Sequence, residues 1–161
     1  MIRAAVITVS DSAHLGTRGD KSGPAVAARL EQNGFAVAAR RIVPDERGEI
    51  AACLRDCIDS HTAQVIVTTG GTGITPRDVT PEATRDVIER EIPGIGELMR
   101  AKGLASTRYS VLSRALAGTR SGVLIINLPG STRGAVESLD AVLGLVPHVL
   151  DLINGRTGHT P

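Results

Sequence analysis

The chain has 161 residues, 18 Lys+Arg against 17 Asp+Glu, a formal net charge of +1 and 42% hydrophobic residues. That balance gives no electrostatic basis for a nucleic-acid or membrane partner. With one Phe, one Tyr and no Trp, the stacking platforms of single-strand binders are missing as well.

In chain order, strand-like and helix-like segments alternate. The first, AAVITV (4–9), is apolar and rich in β-branched residues, as a strand buried on both faces should be. GPAVAARLEQNG (23–34) reads as a helix with Ser22 as N-cap and Gly34 as its stop. AVAARRIV (36–43) is a strand. EIAACLRDCID (49–59) is a helix with Ile50, Cys53, Leu54, Cys57 and Ile58 on one stripe. QVIVTT (64–69) is a further buried strand. TPEATRDVIER (80–90) opens like a helix, with Pro81 at the first position and Glu82 in the first turn. Pro93 interrupts the next segment, and IGELMRAKGLAS (95–106) is helical. SRALAGTRSGVLIINLPG (113–130) reads as two strands joined by a short turn. The closing helical stretch, 132–155, is broken near Gly144 and Pro147.

This βαβα order predicts a three-layer α/β/α sandwich on a mostly parallel mixed sheet, with one antiparallel pair near the end. One domain over residues 1–155 and a flexible polar tail over 156–161 are expected. No segment approaches the about 20 apolar residues that span a bilayer, and no secretory signal is visible. A cytoplasmic setting is expected, with Cys53 and Cys57 as reduced core thiols.

In such a sheet, ligands bind beyond the carboxyl ends of the strands. Four strand ends carry polar groups: Ser10, Asp11 and Ser12; Asp45; Thr69 to Asp78; and Asn127, Pro129, Gly130 and Ser131. The fold class brings all four to one edge, as a phosphate-friendly pocket. Gly70, Gly71 and Gly73 permit an anion nest, with Thr69 and Thr72 as donors. Neither a Walker loop nor GxGxxG is present, and the glycines alone also fit an inert tight turn. Asp45 and Asp78 would repel phosphate unless Mg²⁺ lay between. Each is equally suited to capping a helix or turn. Arg77, Arg114 and Arg120 are candidate phosphate or carboxylate clamps. The four histidines have no metal-ligand spacing.

Five stretches, TVSDS (8–12), VPDE (43–46), TTGGTGITPRDVTPEAT (68–84), SRALAGTR (113–120) and LIINLPGS (124–131), occur in this order. Together they resemble the molybdopterin adenylyltransferase (MogA/MoaB-type) family of molybdenum cofactor biosynthesis, over about residues 2–153. The resemblance implies a molybdopterin-binding-like fold, commonly a homotrimer. It implies Mg-ATP and molybdopterin as substrates, AMP transfer onto the terminal phosphate of the pterin, and release of pyrophosphate. A partner protein then uses the product for molybdate insertion. By the same resemblance, Asp45 and Asp78 are catalytic and hold Mg²⁺. Ser10, Asp11, Ser12 and Thr69, Gly70, Gly71, Thr72, Gly73 bind the nucleotide. Arg77, Ser113, Arg114, Asn127, Pro129, Gly130 and Ser131 lie on the substrate side. The family's second proline after PG is Thr132 here. The nucleophile would be a phosphate oxygen, already anionic, so no general base is needed.

Three other readings compete. A non-catalytic pterin-binding or scaffold paralogue would keep the pocket and lose the chemistry. A flavodoxin-like receiver needs a lysine on a late strand, and Lys21 and Lys102 stand elsewhere. A molybdate-inserting enzyme of related fold would carry further domains.

Overall fold

Six strands form one sheet in the order β2-β1-β3-β6-β5-β4. They are β1 (Arg3–Val9), β2 (Ala36–Val43), β3 (Val65–Thr69), β4 (Arg90–Glu91), β5 (Ala117–Arg120) and β6 (Val123–Leu128). A computed structural model describes residues 1–158. The last three, 159–161, lie outside the described residues, and with them half of the expected tail. Strands β1, β2, β3 and β6 are parallel, while β5 pairs antiparallel with both β6 and β4.

The sheet is covered on both faces because its central strands are apolar at nearly every position. Pleating sends alternate residues to opposite sides. Ala4 and Val6 join Val26, Leu30, Met99, Leu139 and Leu150 in one core. Those side chains come from α2 (Ser22–Gln32), α5 (Pro93–Gly103), α6 (Thr132–Val142) and α7 (Val146–Ile153). Ala5, Ile7 and Val9 pack against Ile50, Leu54, Cys57 and Ala83 on the other side, supplied by α3 (Arg47–Asp59) and α4 (Thr80–Arg85). Only β2, at the edge, carries arginines in mid-strand, where unpaired backbone and charge deter further pairing.

The strand order reverses beside β1. The chain leaves β1 through α2 on one face to reach β2. It returns through α3 on the other face to β3. This is the switch point at which open α/β sheets hold their ligands.

Several elements differ from expectation. The helix at 80–90 ends at Arg85, and Arg90–Glu91 is strand β4. The N–H groups of Glu89 and Ile92 donate to Thr119 and Ala117 carbonyls, so the open edge of β5 captures this segment. Pro93 starts α5 instead of interrupting a segment before it, because its missing N–H has no partner to lose there. Lys21, not Ser22, is the N-cap of α2, and the Asp20 carboxylate accepts the Gly23 N–H at 3.0 Å. A short helix α1 (Asp11–Leu15), capped by the Ser10 hydroxyl, adds to the expected elements. The stop at Gly34 (φ +84°) and the break around Gly144 and Pro147 match the sequence reading. The β5–β6 turn is Ser121–Gly122, both with positive φ, as tight hairpins require.

Candidate active site

A cleft of about 470 Å³ opens above the carboxyl ends of β1 and β3. Ser10 and Ser12 border it after β1, Asp45 after β2, Thr69, Gly70, Gly71 and Asp78 after β3, and Gly130 and Ser131 after β6. The four strand ends marked in the sequence thus meet on one edge. The first turns of α2 and α6 reach the rim through Ser22 and Thr132. The free N–H groups and dipoles of such termini favour anions.

Two glycines shape the floor. Gly70 has φ +105°, and a Cβ there would run into the Val9 carbonyl. Gly71 has φ +67°, and a Cβ there would meet the Thr80 hydroxyl. That hydroxyl is fixed by its bond to the Gly70 carbonyl at 2.9 Å. No side-chain-bearing residue can take this path without strain.

Asp45 and Asp78 face this floor. The N-cap of α3 is Glu46, so Asp45 does not cap that helix. Asp45 Oδ2 accepts the Asp11 N–H at 2.9 Å, and Asp11 Oδ1 accepts the Asp45 N–H at 2.9 Å. Asp78 does close a turn. Its Oδ2 accepts from the Thr75 N–H at 3.0 Å and the Thr75 hydroxyl at 2.7 Å. Asp45 Oδ1 and Asp78 Oδ1 receive no hydrogen bond from the described residues, and neither carboxylate is in an ion pair there. Burial pushes the Asp45 carboxyl above its usual range, reinforced by the negative charges of Asp11 and Asp78 and opposed by the Asp11 N–H. Among the described residues no three His, Cys, Asp or Glu side chains are grouped to hold a metal unaided. Two half-free carboxylates beside a phosphate-suited floor do fit Mg²⁺, which keeps few protein ligands and completes its shell with phosphate and water.

The remaining candidate residues divide. Thr69 lines the cleft, though its hydroxyl is held by the Pro129 carbonyl at 2.7 Å. The Ser10 hydroxyl caps α1 and meets the Ser12 hydroxyl at 3.2 Å. Asp11 and Arg77 form a forked pair, 3.0 Å on both arms, with Glu46 also on Arg77. This pair holds the Asp11 carboxyl below the usual range and lies beside the cleft, not in its lining. Thr72 is buried behind the floor. Gly73 and Arg114 also stand outside the lining. Asn127 is 0% exposed. Its amide donates to Thr68 and Thr84 hydroxyls at 3.1 and 3.0 Å and accepts the Leu116 N–H at 3.3 Å. Its side chain is therefore part of the sheet packing. Ser113 and Pro129 border a separate, more apolar hollow of about 200 Å³ with Met99, Tyr109 and Ser131.

Cleft residues to which the sequence assigned no site role include Thr8, Arg18, Asp20 and Lys21. Thr8 Oγ1 donates to Asp20 Oδ2 at 2.8 Å, tying the 16–21 loop to β1. Arg18 and Lys21 are the cationic side chains of the lining. The one local signal was Asp20 three residues before Gly23 at the start of a helix, a capping spacing. Thr132 takes the first position of α6, after the Ser131 cap. Proline is at home at that position, so threonine occupies it with the same backbone.

Fold and cleft together define a three-layer α/β protein whose switch-point cleft lies between a glycine turn and two carboxylates. Residues 5–148 match the family described as "Probable molybdopterin binding domain", and the chain belongs to that family. It is 41% identical over 158 residues to the molybdopterin adenylyltransferase of Helicobacter pylori (strain J99), covering 96% of this chain and 89% of that protein. It is 41% identical over 150 residues to that of Pyrococcus furiosus, covering 90% and 87%. Identity to the Drosophila melanogaster molybdenum cofactor synthesis protein cinnamon is also 41%, over 92% of this chain but only 25% of that longer protein. The crystal structure of the molybdopterin biosynthesis enzyme MoaB from Thermus thermophilus superposes with a TM-score of 0.90 at 48% identity, covering 96% and 98% of the two chains.

Proposed function

We propose that the chain catalyses Mg-ATP-dependent adenylylation of the terminal phosphate of molybdopterin, with release of pyrophosphate. The observation that carries this reading is the pairing of Asp45 and Asp78. Two carboxylates, each with one oxygen free of partners among the described residues, line a cleft otherwise suited to anions. A pocket for phosphate alone would not place them there.

Each group then has a task. The Gly70–Gly71 turn and the helix termini at Ser22 and Thr132 cradle nucleotide phosphate, with Ser10 and Ser12 beside them. Asp11, Thr72 and Gly73 act by shaping these loops, and Thr69 by anchoring the Pro129 turn. Arg18 and Lys21 offset phosphate charge at the rim. Asp45 and Asp78 hold Mg²⁺, which neutralises charge developing on the departing pyrophosphate. The pterin side is formed by Ser113, Pro129, Gly130 and Ser131, where the apolar hollow adjoins the cleft at Ser131. The attacking group is itself a phosphate anion, so no residue is needed to remove a proton.

Two further parts of this reading concern assembly and setting. The family resemblance implies a homotrimer, and self-association is supported by the exposed apolar side chains Tyr109, Val111 and Leu112 on one short helical turn, since exposed apolar patches mark interaction surfaces. Sedimentation equilibrium should give about three chain masses. A molybdate-inserting protein would receive the product. A cytoplasmic setting is supported by the free thiols of Cys53 and Cys57. Among the described residues no helix is long and apolar enough to cross a membrane.

The deciding experiment incubates the purified protein with molybdopterin and Mg-ATP and measures pyrophosphate and adenylylated pterin together. Formation of both, dependent on pterin and Mg²⁺, is the expected result. Pterin binding without transfer would replace this reading with that of a binding paralogue.

A further inference from the structure

The geometry points to Arg114 as a positioning residue, one that locks the glycine turn and Asp78 in place through Glu82 instead of gripping the substrate. This rests on the functional reading above and replaces the substrate-side role that the family resemblance implies for Arg114.

The donors of Arg114 are directed inward. Its Nε donates to the Gly73 carbonyl at 2.7 Å. Its Nη2 donates to the Asp78 carbonyl at 2.8 Å and to Glu82 Oε1 at 3.0 Å. Its Nη1 donates to both Glu82 oxygens, at 3.0 and 2.8 Å. The Arg114 backbone N–H donates to the Thr72 carbonyl at 2.8 Å. One residue thus binds carbonyls at positions 72, 73 and 78, both ends of the loop that separates Gly71 from the carboxylate of Asp78. Glu82, in the first turn of α4, holds the guanidinium in plane by a forked pair. Neither side chain lines the cleft. Arg114 also borders a hollow lined by Arg85, Arg100, Glu91 and Glu97, but each of its three guanidinium nitrogens already has an acceptor within the protein.

A planar fork reaching three acceptors at fixed angles is a task that lysine cannot reproduce. Loosening it lets Asp78 drift from Asp45, and a misplacement of about 1 Å lowers turnover by roughly a hundred-fold. Substrate affinity should change little, because no substrate group is lost.

Arg114→Lys and Glu82→Gln test this with two readouts. The first is amide hydrogen exchange at Thr75, Asp78 and Thr80, whose N–H bonds close the loop. The second is steady-state adenylylation with molybdopterin varied. Both variants should speed exchange at these amides and lower kcat by about ten- to a hundred-fold, with KM for molybdopterin within about two-fold. The proposal is overturned if Arg114→Lys raises KM for molybdopterin about ten-fold or more while Glu82→Gln keeps wild-type kcat and exchange. If Arg114→Lys fails to fold, Glu82→Gln alone decides, since glutamine keeps the shape of the partner. A wild-type protein without transferase activity would defeat the functional reading, and the exchange data would still test the clamp.

Discussion

Asp45 and Arg114 show why an isolated residue identity is a weak guide to its role. Either aspartate suits a helix cap by its chemistry, and Asp78 does cap a turn, yet each leaves one oxygen open. Asp45→Asn keeps the acceptor for the Asp11 N–H but removes the charge, and we expect it to abolish transfer. It should also melt higher than wild type at pH 7. The sign follows from linkage. The folded-state pKa of Asp45 is raised by burial, so the native state binds this proton more tightly than the unfolded chain. The resulting stability is complete below the unfolded pKa and is lost as pH rises through the folded one. The melting advantage of Asp45→Asn at neutral pH should therefore shrink toward about pH 4, the unfolded carboxylate range, as followed by circular dichroism.

Cys53 and Cys57 differ as sharply despite sharing a helix face. The Cys57 thiol is fully buried and its pKa is pushed up. Cys53 is partly exposed, and the neighbouring Cys57 thiol and Arg41 guanidinium lower its pKa to about 7. The thiolate is the nucleophile. Iodoacetamide should thus modify one thiol quickly, with a pH midpoint near 7, and Cys53→Ser should remove that phase. Equal rates at both cysteines would contradict this.

At the scale of elements, Thr132 is the informative position. It opens α6, and the preceding Ser131 is extended (φ −70°, ψ 140°), as a residue before proline must be. Thr132→Pro should therefore raise stability by about 0.4–1 kcal/mol in urea unfolding by stiffening the unfolded chain, without loss of transfer. Gly71→Ala is the contrary case. Its positive φ and the Thr80 hydroxyl leave no room, and a loss of roughly 1 kcal/mol or more is expected. Helix α4 shows where local pattern misleads. The first turn of 80–90 was legible from Thr80, Pro81 and Glu82. Its early end was not, because that depends on carbonyls that β5 offers at Ala117 and Thr119, far along the chain.

At the scale of the whole molecule, the sheet separates two cores, and β6 serves both through Ile125 and Ile126. Ile126 is 0% exposed. Ile126→Ala should lower unfolding free energy by about 2–5 kcal/mol, since a central strand cannot collapse into the void. The same sheet aligns four loops, from residues 10, 45, 70 and 130, at its switch point.

The sequence by itself determined the layer order, most strand and helix positions, the glycine turn, the two carboxylates and the edge on which they gather. Strand burial, helical period and glycine chemistry are local properties, and each is written within a few neighbouring residues. Only the tertiary structure decided which side chains face the cleft. Arg114, Asn127 and Arg77 are polar residues in cleft-forming segments, yet Glu82, the Thr68–Thr84 pair, and Asp11 with Glu46 take up their hydrogen bonds. Arg18, Asp20 and Lys21, in a stretch without pattern, reach the rim because Thr8 ties their loop to β1. A partner contributed from elsewhere in the chain sets where a polar side chain points, and no window along the sequence contains that partner.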